Sequence, residues 1–199
     1  MDIIIASQNN HKVIELSAIF KHEDISLISL KDLDDHDEVV ENGHSFLENA
    51  LLKAKYFSTK YNKPVISDDS GLVIPALNGR PGIYSARYSG GNDHENNLKV
   101  LKEMENQENR DAYFVSVIVL CYPNGVYKSY EGRAYGLIGT KEKGNQGFGY
   151  DSIFFYPQLN KHFAELEPQV KNEISHRANA LKQLKEDINE IINYKWCPW

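Results

Sequence analysis

Short apolar runs alternate with amphipathic stretches along this chain. Residues 2–7 place Ile3, Ile4, Ile5 and Ala6 in a row and read as a buried strand. Asn9 or Asn10 can cap a helix that runs to about His22, with Val13, Leu16, Ile19 and Phe20 on one face. Residues 25–30 form a second short strand, and the acidic stretch 31–41 a loop or a short helix. A longer helix follows over 45–61, where Ser45 and Glu48 have the spacing of a capping box. Pro64-Val65-Ile66-Ser67 reads as a strand that delivers Asp68 and Asp69 at its end, with Gly71 turning the chain. Residues 72–77 are extended again, and 78–91 form a glycine-rich loop. A helix over 93–106 turns Leu98, Leu101 and Met104 inward. Residues 113–122 and 126–135 are long strands joined at Pro123-Asn124-Gly125, a hairpin signal. A glycine loop over 144–150 leads to a strand at 152–156. One last helix over 169–193 carries the stripe Ile174, Ala178, Leu181, Leu184, Ile188 and Ile191. Strands interleaved with helices, plus one hairpin, predict an α/β fold with a mixed sheet.

Composition narrows the class. The 199 residues, 41% hydrophobic, suffice for a single domain with a real core or for two closely joined lobes. No apolar run approaches the roughly 18 residues of a membrane span. The opening Met1-Asp2-Ile3 lacks the basic start of a signal peptide. Cys121 and Cys197 give neither a disulfide framework nor zinc spacing, which fits a reducing cytoplasm. The net charge of −6 argues against a nucleic-acid polymer as partner. It leaves room for a small phosphate ligand held by a few local lysines and a metal ion.

Candidate chemistry concentrates in a few stretches. Asp68 and Asp69, followed by Ser70 and Gly71, suit a hard metal ion or a base that deprotonates water; the alternative is a solvated turn. Ser7, Asn9 and Lys12 join a buried strand to a helix start and suit an anion site without P-loop spacing; the alternative is an ordinary capped helix with an exposed lysine. Lys53 falls beside the apolar stripe of Phe46, Leu47, Ala50, Leu51, Ala54 and Phe57, so it either snorkels to solvent or leans toward the aspartates. Glu41, before Asn42-Gly43, is a further acid that could share octahedral Mg²⁺ with an aspartate. Phe148 or Tyr150, in Gly147-Phe148-Gly149-Tyr150-Asp151, could stack on a base for about 1–3 kcal/mol, and Asp151 could accept from base N–H groups. Lys171, Ser175, His176 and Arg177 cluster near the last helix, where His176 and Arg177 can donate to a purine carbonyl or a phosphate. The Trp196–Trp199 tail has no functional account.

Six co-ordered segments carry a resemblance over nearly the whole chain. They are Ser7-x-Asn9-x-x-Lys12-x-x-Glu15, Glu41 with Phe46-x-Glu48-Asn49-Ala50-x-x-Lys53-Ala54, and Ser67-Asp68-Asp69-Ser70-Gly71-Leu72. Pro81-Gly82-Ile83-Tyr84-Ser85-Ala86-Arg87-Tyr88, Gly147-Phe148-Gly149-Tyr150-Asp151 and Ile174-Ser175-His176-Arg177 complete the set. Together they resemble the inosine triphosphate pyrophosphatase family, the house-cleaning dITP/XTP pyrophosphatases. The resemblance implies an elongated mixed β-sheet with flanking helices, in two lobes around a nucleotide-binding cleft. It implies a single catalytic domain over 1–199 that hydrolyses dITP, ITP and XTP to monophosphate and pyrophosphate with Mg²⁺, as a cytoplasmic homodimer.

By the same resemblance Ser7, Gln8, Asn9, Asn10, His11 and Lys12 contact the triphosphate. Asp69 is the proton acceptor and a Mg²⁺ ligand, with Asp68 and Lys53 beside it in the catalytic set and Glu41 assisting with metal. Ser70, Phe148, Gly149, Tyr150, Asp151, Lys171, His176 and Arg177 fall on substrate-binding positions. Gln8 departs from the pattern, standing where glycine is common. His176 and Arg177 would select a 6-keto purine, because adenine's 6-amino group would face another donor. Two rivals stand beside this expectation: a related pyrophosphatase for pyrimidine triphosphates, and a non-catalytic nucleotide sensor. A substrate panel separates the first, and retention of Asp68, Asp69, Lys12 and Lys53 argues against the second.

Overall fold

The computed structural model describes residues 1–22 and 24–194, so the tail from Trp196, with Cys197, lies outside the described residues. Seven strands form one sheet in the order β2-β1-β3-β4-β5-β6-β7: β1 (Asp2–Ala6), β2 (Ser26–Ser29), β3 (Val65–Val73), β4 (Asp111–Cys121), β5 (Tyr127–Ile138), β6 (Phe154–Tyr156) and β7 (Lys161–His162). β1 runs parallel to β2 and β3, whereas β6 runs antiparallel to β5 and β7, so the sheet is mixed. Among the described residues six α-helices accompany it: α1 (Asn10–Ile19), α2 (Phe46–Tyr61), α3 (Asp93–Glu103), α4 (Pro168–Ile174), α5 (His176–Glu186) and α6 (Ile188–Asn193). Among the described residues no helix is long and apolar enough to cross a membrane.

The chain divides into two compact units. The first comprises Met1–Asp69, Ser116–Gly132 and the segment from Arg177 onward. Its core packs Ile3, Ile5, Ile66, Ile118 and Leu120 of the strands against Leu16 and Phe20 of the α1 region and Leu181 and Leu184 of α5. The second comprises Ser70–Val115 and Arg133–His176. Leu72, Val100, Met104, Phe114, Phe154 and Phe163 lead its core.

Helix starts follow the capping signals. Asn9 caps α1, and Ser45 Oγ accepts from Glu48 N at 3.1 Å to cap α2. The Glu48 side chain reaches past the cap to His44 N, at 2.6 Å. Asn92 and Glu95 form a reciprocal capping box on α3.

Three expectations are corrected. Asp68 and Asp69 lie inside β3, not at its end, and Gly71 turns nothing, because the strand continues to Val73. The polar run Ser67-Asp68-Asp69 stays buried in the strand because α-helical partners meet its side chains; Ser67 Oγ, for example, donates to Ala50 O at 2.6 Å. The 93–106 helix stops at Glu103 and buries Asn96, Asn97 and Val100, while Leu98 is 49% exposed. The single last helix is three, broken by Ser175 in extended conformation (φ −67°, ψ 160°) and by Asp187. Apolar periodicity survives both breaks, so the stripe did not reveal them. Residues 31–41 take the loop alternative, a turn over 31–34 followed by irregular chain.

Candidate active site

In the first unit, charged side chains gather around the middle of β3. Ile66 packs among α1 and α5 residues, and Ser67 bonds to α2. The two-residue period of a strand then turns Asp68 toward α1 and α5 and Asp69 toward α2. Neighbouring carboxylates therefore meet different partners.

Asp68 is 2% exposed and fully engaged. Lys12 Nζ lies 2.8 Å from its Oδ2, and Arg177 NH2 donates to the same oxygen at 3.0 Å. Ser116 Oγ donates to Oδ1. Arg177 is itself fully buried and donates its NH1 to Glu15. Burial alone would raise the Asp68 pKa; the Arg177 and Lys12 cations outweigh it and hold the carboxyl well below the usual carboxylate range.

Asp69 is in the opposite situation. It is 7% exposed, and its Oδ2 has no hydrogen-bond partner among the described residues. Lys53 Nζ lies 3.9 Å from Oδ1. That ammonium also sits 2.5 Å from Glu41 Oε1 and donates to the Asp68 carbonyl at 3.0 Å. Burial pushes the Asp69 pKa up; Lys53 and Lys12 oppose this, Glu41 and Asp68 add to it, and the carboxyl ends above its ordinary value. Glu41 and Asp69 thus flank one cation. Among the described residues no three His, Cys, Asp or Glu side chains converge into a ready-made metal site. These two carboxylates, with the unpartnered Asp69 oxygen, are the donors a hard divalent ion would use here.

The loop before α1 is pre-shaped. Asn9 Oδ1 accepts from His11 N at 3.0 Å and Lys12 N at 3.2 Å, and Ser7 Oγ accepts from Asn9 N at 3.2 Å. Gln8 donates to Asp35 O at 3.0 Å, which anchors the position where glycine is common. Gln8, Asn9, Asn10 and His11 are exposed.

In the second unit, Asp151 and Lys171 form a buried pair at 2.6 Å. Phe148 N donates to the same carboxylate oxygen at 3.0 Å, and the Lys171 ammonium lies 5.0 Å from the Phe148 ring centre. Gly147 has φ 77°, and a Cβ there would come within 2.0 Å of Asp151 Oδ2, so glycine is required. His176, 6% exposed, stacks on Phe114 at 4.8 Å. Ser70 is half-buried on β3.

Two expected roles change. Tyr150 is 4% exposed in the core with its hydroxyl on Ser85 O at 2.7 Å, so Phe148 is the half-buried ring of this loop. Arg177 commits NH1 and NH2 to Glu15 and Asp68 rather than presenting them, with His176, as one base-reading pair. Sequence reading left Ser116 out; a lone hydroxyl inside the apolar run 114–121 was its signal.

The fold is thus a mixed α/β sheet with a buried aspartate pair met by two lysines and an arginine. The sequence model of the Ham1 family matches residues 3–187, and the chain belongs to that family. It is 44% identical over 200 residues to the dITP/XTP pyrophosphatase of Acholeplasma laidlawii, covering 100% of this chain and 99% of that protein. It is 46% identical over 187 residues to the dITP/XTP pyrophosphatase of Staphylococcus epidermidis, covering 93% and 95%. Among solved structures, the Staphylococcus aureus Ham1 protein superposes with a TM-score of 0.87 at 41% identity, covering 96% of this chain and 100% of that one. A HAM1 protein from Coxiella burnetii gives 0.88 at 37% identity, covering 96% and 99%.

Proposed function

We propose that this chain is a Mg²⁺-dependent pyrophosphatase of non-canonical purine nucleoside triphosphates (dITP, ITP and XTP), releasing the monophosphate and pyrophosphate. The observation that carries this reading is Asp69: a buried carboxylate with raised pKa and an unpartnered oxygen, beside Lys53 and Glu41. A carboxylate so placed binds a proton more readily than its neighbour and suits a general base. The names of relatives more than 40% identical over nearly the full chain supply the substrate class.

Within this reading Asp69 accepts the proton of the water that attacks the α-phosphate, and pyrophosphate leaves. Glu41 and Asp69 would hold Mg²⁺, which supplies charge neutralisation and Lewis acidity when bound. Lys53 fixes both carboxylates. Residues 7–12 receive the phosphates, and Lys12 adds positive charge there. Asp68 is the anchor of Lys12 and Arg177, a positioning rather than a chemical role. Phe148 offers its ring face to the base, while Asp151 and Lys171 set the loop and His176 donates to the 6-keto oxygen. Ser70 and Gly149 line the same substrate. Residues 1–199 act as one catalytic domain, and the enzyme is a cytoplasmic homodimer, as the resemblance implies.

The test is pyrophosphate release with Mg²⁺ from dITP, XTP, ATP, GTP and dUTP, with an EDTA control. The expected result is metal-dependent release from dITP and XTP, with ATP and GTP poorly used. Preference for dUTP would move the reading to pyrimidine substrates. Binding without turnover of any triphosphate would overturn the catalytic assignment.

A further inference from the structure

Two side chains of α3 grip a single residue, Gly149, in the loop that carries Phe148. Asp93 Oδ2 accepts from Gly149 N at 2.7 Å. One helical turn on, Asn97 Nδ2 donates to Gly149 O at 3.1 Å. Both polar atoms of the same residue are therefore bound from one helix. Gly149 has φ 60°, so nothing in its own preferences holds it to one conformation.

The grip is braced in turn. Asn97 is 2% exposed, and its amide also lies 2.8 Å from Glu142 Oε1 and 3.0 Å from Ser152 Oγ. Ser152 Oγ donates to Glu142 Oε1 at 3.0 Å, and His94 closes on Glu142 Oε2 at 2.7 Å. The capping box of Asn92 and Glu95 fixes the start of α3, the helix that carries Asp93 and Asn97. Flanking residues on both sides of Gly149 point to different tasks: Tyr150 into the core, Phe148 over Lys171. A change in the Gly149 backbone torsions would move Phe148 relative to the Asp151–Lys171 pair.

We infer that Asp93 and Asn97 are positioning residues that set the pose of Phe148 for the nucleobase. The latch matters to turnover only if residues 148–151 meet substrate, as proposed above. A ring held in its stacking pose before substrate arrives loses less freedom on binding. The latch should therefore act on KM and leave the phosphate chemistry alone.

Asp93 is exposed, so its substitution leaves the core intact. KM and kcat for dITP with Mg²⁺ are measured for wild type, Asp93→Ala, Asp93→Asn and Phe148→Ala. Asp93→Ala loses the acceptor and is expected to raise KM roughly tenfold with kcat within about twofold. Asp93→Asn keeps an acceptor oxygen and is expected to restore a near wild-type KM. Equal impairment of both variants would assign the effect to lost charge at the helix start and overturn the latch. A raised KM in Phe148→Ala with an unchanged Asp93→Ala overturns the latch alone. An unchanged KM in Phe148→Ala overturns the assignment of the loop to substrate, and the latch with it.

Discussion

Asp68 and Asp69 differ by one position and by nearly everything else. Asp68 answers the buried Arg177 and the half-buried Lys12, so its removal leaves Arg177 with Glu15 alone of its two carboxylates and takes the Asp68 carboxylate from Lys12. Asp68→Ala is expected to cost about 3–5 kcal/mol of stability, the usual penalty for breaking a buried ion pair, read as a lowered urea midpoint. Asp69→Asn removes a carboxylate held above its ordinary pKa, so folding loses little. Its turnover of dITP should fall by about 10²–10⁴, the range of general-base catalysis, with the urea midpoint close to wild type. Near wild-type turnover in Asp69→Asn would remove it from the chemistry. The two variants separate an anchor from a base, a division invisible in two adjacent letters.

At the scale of elements, α2 ties the turn region after β2 to the sheet. Asp35 is buried, and it takes Lys60 at 2.7 Å and the Tyr61 hydroxyl, both from the end of α2. Gln8, on the loop before α1, bonds the Asp35 carbonyl. Burial raises the Asp35 pKa, but Lys60 and Tyr61 overcome it and bring the carboxyl to about 2. A depressed pKa stabilises the fold above the unfolded value and loses that contribution as pH falls toward the folded one. Asp35→Asn should therefore cost about 1 kcal/mol at neutral pH, allowing for solvent screening of the partly exposed Lys60. The difference from wild type should close between pH 3.8 and about 2, as followed by thermal melts. A gap that persists at pH 2 would mean that packing, not charge, makes the contribution.

For the molecule as a whole, each unit has its own apolar core. The protein offers two carboxylates for a metal and no complete cage among the described residues. Metal removal should accordingly abolish pyrophosphate release while leaving the melting temperature within about 2 °C in the absence of substrate. A large drop in melting temperature on chelation would identify a structural ion instead.

The order and type of most elements followed from the chain alone, because apolar period and caps act over a few residues: Asn9, Ser45 and the Pro123-Asn124-Gly125 turn are local signals. The chain also offered Lys12, Lys53, Asp68 and Asp69 as candidates through the motifs that carry the resemblance, and the fold brings these four side chains together. What the chain did not reveal depends on distant partners. The continuation of β3 through two aspartates needed Arg177 and Lys12, from helices far away in sequence, to offset the burial of Asp68. The break at Ser175 left the apolar stripe unchanged and so had no periodic signature. Arg177 reads in one dimension as a surface donor beside His176. Only packing decides that its guanidinium is buried against Glu15 and Asp68, because the cost of an unpaired buried charge is settled by neighbours that the sequence does not list side by side.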